Sequence, residues 1–142
     1  MQSYSFVGLD VHKKSVSFCV KRADGTIVTE GKVRSVRSEL VSWAQSLAKP
    51  WCGGLEATLF SGWIYDTLLP HAAELKVGHP YMIKAIAASK RKNDRLDART
   101  LADLLRCNLF PSCYMAPSHL RDLRRMMRYR NLMVRQATRL KN

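Results

Sequence analysis

Acidic residues and long hydrophobic runs are both scarce in this sequence of 142 residues. Its 24 lysines and arginines outnumber 11 aspartates and glutamates, so the formal net charge is +13. The longest apolar stretch, around Ile83 to Ala88, is far shorter than the ~20 residues that a membrane-spanning helix needs. The first ten residues have neither a basic segment nor an uninterrupted apolar one, so they do not resemble a secretion signal. We therefore expect a cytoplasmic protein with no membrane partner.

Cysteine pairs at metal-binding or redox spacing are also missing. The four cysteines are Cys19, Cys52, Cys107 and Cys113. No CxxC pair occurs, and the distances along the chain fit no zinc-binding pattern. Because cytosolic cysteines are usually reduced, we predict four free thiols in or near the core.

Positive charge is concentrated in the second part of the chain. Nine basic and seven acidic residues precede Lys84, whereas 15 basic and four acidic residues follow from Lys84 onward, a net charge of +11. Such a block is typical of proteins that bind the phosphate backbone of nucleic acids, since each neutralised phosphate releases counterions. The alternative is a basic helix face that serves only solubility, although acidic residues serve it better.

The first quarter of the chain has the composition of strands. Three runs rich in β-branched and aromatic residues, YSFVGLD, SVSFCVK and TIVTEGKV, occupy residues 4–33. Asp24-Gly25, between the second and third runs, predicts a hairpin turn. The short polar link after Val11 also suits antiparallel neighbours. These features predict a β-meander.

Helices and strands alternate after the meander. Ser38, followed by an acidic residue and helical apolar spacing, predicts a helix that ends at Lys49-Pro50. The run WCGGLEA predicts a buried strand ending at Glu56, followed by a helix over residues 59–73 and a strand over residues 74–79. The predicted fold is therefore a mixed α/β sheet with a β-meander followed by αβαβα.

Two further helices are predicted in the basic part of the chain. One covers Asp94 to Cys107, and the prolines of LFPSCYMAPS end it. The other runs from Ser118, as N-cap, to Asn142 and contains seven arginines beside a thin apolar stripe. Such a helix either packs back on its own domain or binds a partner surface, and the sequence leaves both open.

Four acidic residues occupy positions that suggest chemistry. Asp10 and Glu56 end the first and fourth predicted strands, directly after apolar runs, where a carboxylate is costly unless it is paired or holds a metal. Asp94 and Asp97 lie three residues apart and so share one helix face. The alternative for this second pair is that they stabilise the helix amino terminus, by about 0.3–1 kcal/mol each.

A hard-metal site follows if the first and fourth strands are neighbours in one sheet. Asp10 and Glu56 would then lie together, and a helix packed on the sheet would add Asp94 and Asp97. A cluster of carboxylates suits Mg²⁺ or Mn²⁺. Two such ions ~3.5–4 Å apart stabilise the attacking and leaving oxygens of a phosphoryl displacement. The acids and the basic segment are thus predicted to act on the same nucleic-acid strand.

Three segments resemble a known family. They are GLDVHKKS around Asp10, LEAT around Glu56, and KNDRLDARTLADLL around Asp94 and Asp97. Together with the order of elements, they resemble the RuvC-like branch of the RNase H-like fold, and within it the DEDD transposases of bacterial insertion sequences, which include the Piv DNA invertases. The arginine-rich segment at residues 120–142 is similar to the helix that follows the catalytic domain in that family.

The resemblance implies a RuvC-like metal-binding domain over residues 1–110 and the start of a helical, coiled-coil segment over residues 117–142 for nucleic-acid binding and dimerisation. It implies that Asp10, Glu56, Asp94 and Asp97 are the catalytic metal ligands, with Mg²⁺ or Mn²⁺, two ions, as cofactor. DNA and a structured guide RNA are the implied partners. The final helix, rich in arginine and methionine, predicts a homodimer or higher oligomer. A further domain carrying a serine nucleophile, typical of the family, is expected to be absent from these 142 residues, so that the chain alone is inactive.

Basic residues near the acids and along the final helix are the candidate nucleic-acid contacts. They are Lys13, Lys14, Lys90, Arg91, Lys92, Arg95, Arg121, Arg124, Arg125, Arg128 and Arg135. Lysine is a common phosphate ligand, but an exposed lysine in a solvated turn is more common still.

Three other functions stay open at this point. The chain could be a nucleic-acid-binding and dimerisation module without turnover, or a nuclease of the Holliday-junction type. It could also be a sugar-kinase-like or actin-like ATPase, because GLDVHKKS resembles the first phosphate loop of that fold. An ATPase would need a second such loop and a nucleotide pocket from another domain, and neither is visible in the sequence.

Overall fold

A six-stranded mixed sheet forms the centre of the part of the chain that the structure, a computed structural model, describes: residues 4–87 and 98–141. The strands are β1 (Ser5–Val11), β2 (Ser15–Lys21), β3 (Ile27–Arg34), β4 (Trp51–Glu56), β5 (Glu74–Gly78) and β6 (Ser112–Cys113). Their order across the sheet is β3-β2-β1-β4-β5-β6.

Five α-helices accompany this sheet in the described residues. They are α1 (Arg37–Ser46), α2 (Ser61–Leu68), α3 (Pro80–Ile86), α4 (Ala98–Arg106) and α5 (Ser118–Lys141), and a 3₁₀ turn at Leu69–His71 extends α2. None of the described helices is long and apolar enough to cross a membrane.

The predicted β-meander is confirmed. β1 pairs antiparallel with β2, and β2 pairs antiparallel with β3. The turn before β3 uses Gly25 at φ +90°, a conformation that glycine adopts without steric cost. The Thr26 N–H donates a hydrogen bond of 2.8 Å to Asp24 Oδ1, which closes the turn. The Asp-Gly pair therefore sets the hairpin as the sequence predicts.

Parallel pairing follows the meander. β4 lies parallel to β1, and β5 lies parallel to β4, whereas β6 returns antiparallel to β5. The first and fourth strands are thus neighbours, which was the condition for a shared acidic site. This sheet and its helices confirm the predicted mixed α/β, RNase H-like fold.

Each face of the sheet is covered by helices. Val7 and Leu9 of β1 belong to the larger core, together with Leu40 of α1 and Ile64 of α2, all fully buried. The opposite face is covered by α4, and a second cluster there joins Leu101 of α4 to neighbours that include Ile83 of α3. Side chains alternate along a strand, so odd-numbered residues of β1 face the larger core and even-numbered ones face α4.

Some element boundaries differ from the predictions. Val36, with φ −123° and ψ 131°, is the residue before α1, and the Leu40 N–H donates to its carbonyl oxygen, so the helix starts before Ser38. α2 starts at Ser61 because Ser61 Oγ and Thr58 exchange hydrogen bonds in a turn ahead of it. α4 ends at Arg106, one residue before the predicted end, and Asn108 at φ 55° ends it rather than the prolines, since the Leu109 N–H donates to Leu104 O. The short strand β6 in the linker that follows was not predicted.

The cysteine prediction is right for three residues and wrong for one. Cys19 and Cys52 are buried, Cys113 is half-buried, and all four thiols are free. Cys107, by contrast, is exposed at the end of α4. The helix turns its buried side, with Leu101, Leu104 and Leu105, toward the sheet, and Cys107 follows its last turn.

Gly8 should be intolerant of a side chain. A Cβ at Gly8 would overlap the Ala98 carbonyl oxygen and lie 2.6 Å from the Ala102 backbone nitrogen. Gly8→Ala is therefore expected to lower the free energy of unfolding by about 3 kcal/mol, the upper part of the overpacking range. Urea unfolding followed by circular dichroism measures this. Gly31→Ala on the edge strand, where a Cβ meets only the Phe18 ring at 3.3 Å, is the matched control. Equal losses in the two variants would contradict the prediction.

Candidate metal centre and nucleic-acid interface

Asp10 and Glu56 lie side by side at one edge of the sheet. Leu9 of β1 is in register with Leu55 of β4 in a parallel pair, so the next residue of each strand is an acid. Both acids are partly buried. Adjacent strands lie about 4.8 Å apart. The structure thus brings together the two carboxylates predicted at the strand ends.

These two acids share the face of the sheet that α4 covers. Asp10 lies two residues after Gly8 on β1, and Gly8 contacts the backbone of Ala98. Glu56 lies two residues after Gly54, which approaches Leu105 of the same helix. Because side chains two residues apart point to the same face, both carboxylates belong to the α4 side.

Asp94 and Asp97 lie outside the described residues. Ala98, where the described chain resumes, is the first residue of α4 and lies against Gly8. Residues 4–87 and 98–141 contain no cluster of three or more metal-ligating side chains. The described part of the candidate centre is therefore a pair of carboxylates, a donor type that suits a hard divalent cation.

Asp10 has a neighbour that sequence reasoning did not pair with it. His12 Nε2 lies 2.9 Å from Asp10 Oδ2, within hydrogen-bond distance. The backbone of His12 is held by the β1–β2 turn, since its N–H donates to Ser15 O and its carbonyl accepts from Ser35 Oγ. The sequence did contain a signal for this contact: Asp10 and His12 are two positions apart at the end of a strand, and side chains at that spacing share a face.

Glu56 has no hydrogen-bond or ion-pair partner among the described side chains. The backbone next to it is fixed, because the Ala57 N–H donates a 3.0 Å hydrogen bond to Gly78 O of β5. The turn formed by Thr58 and Ser61 follows at once and leads into α2. Glu56 is therefore a carboxylate on a rigid backbone whose oxygens stay available to a ligand.

Ion pairs hold α4 over the meander, and sequence reasoning did not find them. Lys21 Nζ on β2 lies 2.6 Å from Asp103 Oδ2, and the lysine side chain is nearly buried. Arg99 donates two hydrogen bonds, of 2.6 and 2.7 Å, to the Glu30 carboxylate on β3. This contact lowers the pKa of Glu30, so the stabilisation it provides is present above the ordinary pKa and is lost as the pH falls. Arg99 fixes the first turn of α4 on the meander, and Asp103 fixes its second half there.

Of the basic residues predicted to contact nucleic acid near the acids, only two lie within the described part of the chain. Lys13 and Lys14 are exposed in the turn directly after His12, beside the acidic edge. Lys90, Arg91, Lys92 and Arg95 lie outside the described residues. Lys13 and Lys14 therefore provide positive charge next to Asp10.

The long helix α5 contains no buried residue. Its 24 residues extend for about 36 Å at 1.5 Å per residue. At 100° per residue, six of its seven arginines fall within a sector of about 100°, and only Arg130 lies outside it. The six are Arg121, Arg124, Arg125, Arg128, Arg135 and Arg139; we call this sector the arginine face.

Arg121 differs from the rest of the arginine face. It forms an ion pair with Asp66 of α2, its side chain is only 20% exposed, and its Nη1 is buried without a hydrogen-bond partner. Gly62 of α2 lies beside the guanidinium, at a spacing where a Cβ would make an ordinary van der Waals contact of 3.8 Å with Cζ. Arg125 pairs with Asp122 at 3.2 Å but stays exposed. Arg121 therefore attaches α5 to the sheet domain, and the arginines beyond it are open to solvent.

Comparison with known proteins agrees with this architecture. The family model of the IS110-type DEDD transposases, described as Transposase, matches residues 7–142. No curated protein matches the sequence. The matched range includes both strand-end acids and the whole arginine face. The chain therefore belongs to the IS110-type DEDD transposase family.

Proposed function

We propose that this chain supplies the divalent-metal centre and part of the nucleic-acid-binding surface of a DNA transposase. Membership of the family supports a DNA-acting recombinase. The observation that carries the finer proposal is the placement of Asp10 and Glu56 on adjacent parallel strands, on the face of the sheet that Ala98 of α4 contacts. Asp94 and Asp97 precede Ala98 closely and complete the proposed ligand set.

The carboxylates of this set would hold Mg²⁺ or Mn²⁺, two ions in all. When bound, such ions polarise a phosphodiester and stabilise the oxygens that attack and leave during strand cleavage. Two strand-end acids on a rigid sheet fix part of the ligand geometry before any cation arrives, which lowers the cost of ordering the site. His12 would hold the Asp10 carboxylate in one orientation through its hydrogen bond.

Positive charge around the acids would bring the DNA backbone to the centre. Bare carboxylates repel phosphate, so the site needs cations from its surroundings as well as from the metal. Lys13 and Lys14 are exposed next to Asp10, and the arginine face extends the basic surface along α5. DNA and a structured guide RNA share the phosphate chemistry that this surface would bind. The RNA-guided part of the proposal rests on the family resemblance.

A second copy of the chain is the proposed partner of the apolar side of α5. Leu120, Leu123, Met127 and Val134 fall within a sector of about 60°, turned away from the arginine face, and all four are exposed. Apolar residues at this spacing form the seam of a coiled coil. One helix would then carry nucleic-acid contacts on one side and the dimer contact on the other, as a segment over residues 117–142 distinct from the metal-binding domain.

We further propose that these 142 residues bind metal and nucleic acid without completing strand exchange. The exposed arginine face favours this binding role. The family resemblance implies a serine nucleophile in a further domain. Within residues 4–87 and 98–141, no serine has a contact that assigns it that role.

Removal of one carboxylate should weaken metal binding. Asp10→Asn or Glu56→Gln is expected to reduce Mn²⁺ affinity at least tenfold, because each variant removes an anionic oxygen ligand from a shared site. Asp94→Asn and Asp97→Asn test the two ligands outside the described residues. Isothermal titration calorimetry with Mn²⁺ measures the affinities. Asp122→Asn is the matched control, because its side chain is 64% exposed and it belongs to α5 rather than to the strands that carry Asp10 and Glu56. Unchanged affinity in all four variants would reject the proposed centre.

The arginine face should set the salt dependence of DNA binding. Arg128→Gln is expected to reduce the slope of log Kd against log salt concentration by about 1, since it removes one phosphate contact. Arg130→Gln, an exposed arginine outside the arginine face, should leave the slope unchanged. Fluorescence anisotropy with duplex DNA from 50 to 300 mM salt, a range of the order at which counterion release is measured, gives both slopes. If Arg130→Gln has the same effect as Arg128→Gln, the charge acts without a defined face.

The apolar side of α5 should control association. Met127→Glu is expected to convert a concentration-dependent dimer into a monomer, because it places a charge in the proposed seam. Leu132→Glu is the matched control: Leu132 is 50% exposed, close to the 56% of Met127, but lies on the other side of the helix. Multi-angle light scattering of the wild type and both variants measures the mass. A monomeric wild type at high concentration, with and without DNA, would contradict the proposal.

A further inference from the structure

Two aromatic rings lie at the same edge of the sheet as Glu56. Glu56 is in register with Gly78 of β5; His79 follows Gly78 directly, and Tyr81 lies two residues further on, in the first turn of α3. The ring centroids of His79 and Tyr81 are 5.9 Å apart at an interplanar angle of 41°. Neither residue belongs to the metal centre or to the arginine face. We call this pair of rings the aromatic edge.

The aromatic edge stands on a rigid base. Ile83 of α3 is fully buried and packs against Leu101 and Leu104 of α4. This packing anchors α3, the helix that carries Tyr81. A Cβ on Gly78 would meet Ile83 Cδ1, so α3 packs closely on the end of β5. The His79 N–H also donates a 3.0 Å hydrogen bond to Pro111 O. The backbone that carries both rings is therefore held from two sides.

Although its base is buried, Tyr81 itself is 79% exposed. An exposed aromatic ring that is preorganised by its neighbours gains little from folding, so its free face is available to a ligand. Within α3 the charge suits an anionic ligand, because this helix contains Lys84 one turn after Tyr81 and no acidic residue. The acid at this edge, Glu56, is the one that the proposed metal would neutralise. A flat aromatic partner with an attached negative charge fits both features, and a nucleotide has both.

We propose that Tyr81, supported by His79, is a stacking platform for an unpaired base of the strand that enters the metal centre. The base would lie on the phenol ring, and Lys84 would contact the adjoining phosphate. Strand exchange requires base pairs near the cleaved bond to open, and a platform beside Glu56 would hold a base released in that way. The proposal rests on the proposed function, because it assumes that nucleic acid approaches the acidic edge.

A fluorescent single strand tests the platform in the full 142-residue chain. The probe is a single-stranded DNA oligonucleotide with 2-aminopurine, whose emission is quenched by stacking on an aromatic ring. Wild type and Tyr81→Phe are expected to quench it, because both keep the ring. Tyr81→Leu is expected to lose the quenching and to bind the strand about tenfold more weakly, within the range for loss of one stacked base. Its affinity for duplex DNA should stay within twofold of the wild type.

Tyr114→Leu is the matched control. The exposed fraction of Tyr114 is 74%, similar to the 79% of Tyr81. Tyr114 follows Cys113, which pairs with Val77, so the chain at Tyr114 is already moving away from the acidic edge. This variant should behave as the wild type. Equal losses for Tyr81→Leu and Tyr114→Leu, or an equal loss of duplex affinity in Tyr81→Leu, would overturn the proposal.

A second measurement needs no variant. Photocrosslinking of the wild type to a single strand with 5-iodouracil should give an adduct that mass spectrometry locates at Tyr81 or His79. Adducts found only elsewhere would overturn the platform.

Mn²⁺ titration of Tyr81→Leu separates the failure of the platform from the failure of the metal centre. If the variant binds Mn²⁺ as the wild type does but still quenches the probe, the platform is wrong and the metal centre stands. If the wild type quenches the probe, Tyr81→Leu does not, and neither binds Mn²⁺, base stacking on Tyr81 stands and the proposed metal centre is wrong.

Discussion

The close packing of α4 on β1 is the contact on which the candidate site depends. The backbone of Ala98 and Ala102 approaches Gly8 so closely that no side chain fits between them. This contact fixes the position of the start of α4 on the sheet. Because Gly8 and Asp10 share one face of β1, the start of α4 lies on the face of the strand-end acids. Backbone contact between one strand and one helix therefore brings Ala98 and the two described carboxylates to the same face.

Charged residues have two different roles in the described part of this chain: some form ion pairs that position helices, and others stay exposed. Two ion pairs hold α4 against the meander: Glu30 of β3 pairs with Arg99 of α4, and Asp103 of α4 pairs with Lys21 of β2. Asp66 does the same for α5 through Arg121. The remaining arginines of the arginine face have no such constraint and stay exposed. Ion pairs therefore position the two helices, while the uncompensated positive charge is left for an anionic partner, which agrees with membership of a transposase family.

Much of the fold could be predicted because local patterns agree with the tertiary structure. Asp24-Gly25 predicted the hairpin, and the apolar runs ending at Asp10 and Glu56 predicted buried strands. The short strand β6 could not be predicted, since two residues between prolines form a strand only because the end of β5 offers a partner. The hydrogen bond of His12 with Asp10 and the ion pair of Arg121 with Asp66 could not be predicted either. Each depends on one specific contact, and residue type alone does not distinguish such a contact from solvent exposure.

The sequence by itself determined the β-meander, the strand-end acids, the concentration of positive charge and the family, because these depend on composition, periodicity and motif. Only the tertiary structure decided that β1 and β4 are parallel neighbours, that α4 lies on the face of both acids, and that Arg121 differs from the other arginines. Strand pairing and helix docking join residues that are distant along the chain. They are set by packing and backbone hydrogen bonds across the whole domain, which no local pattern records.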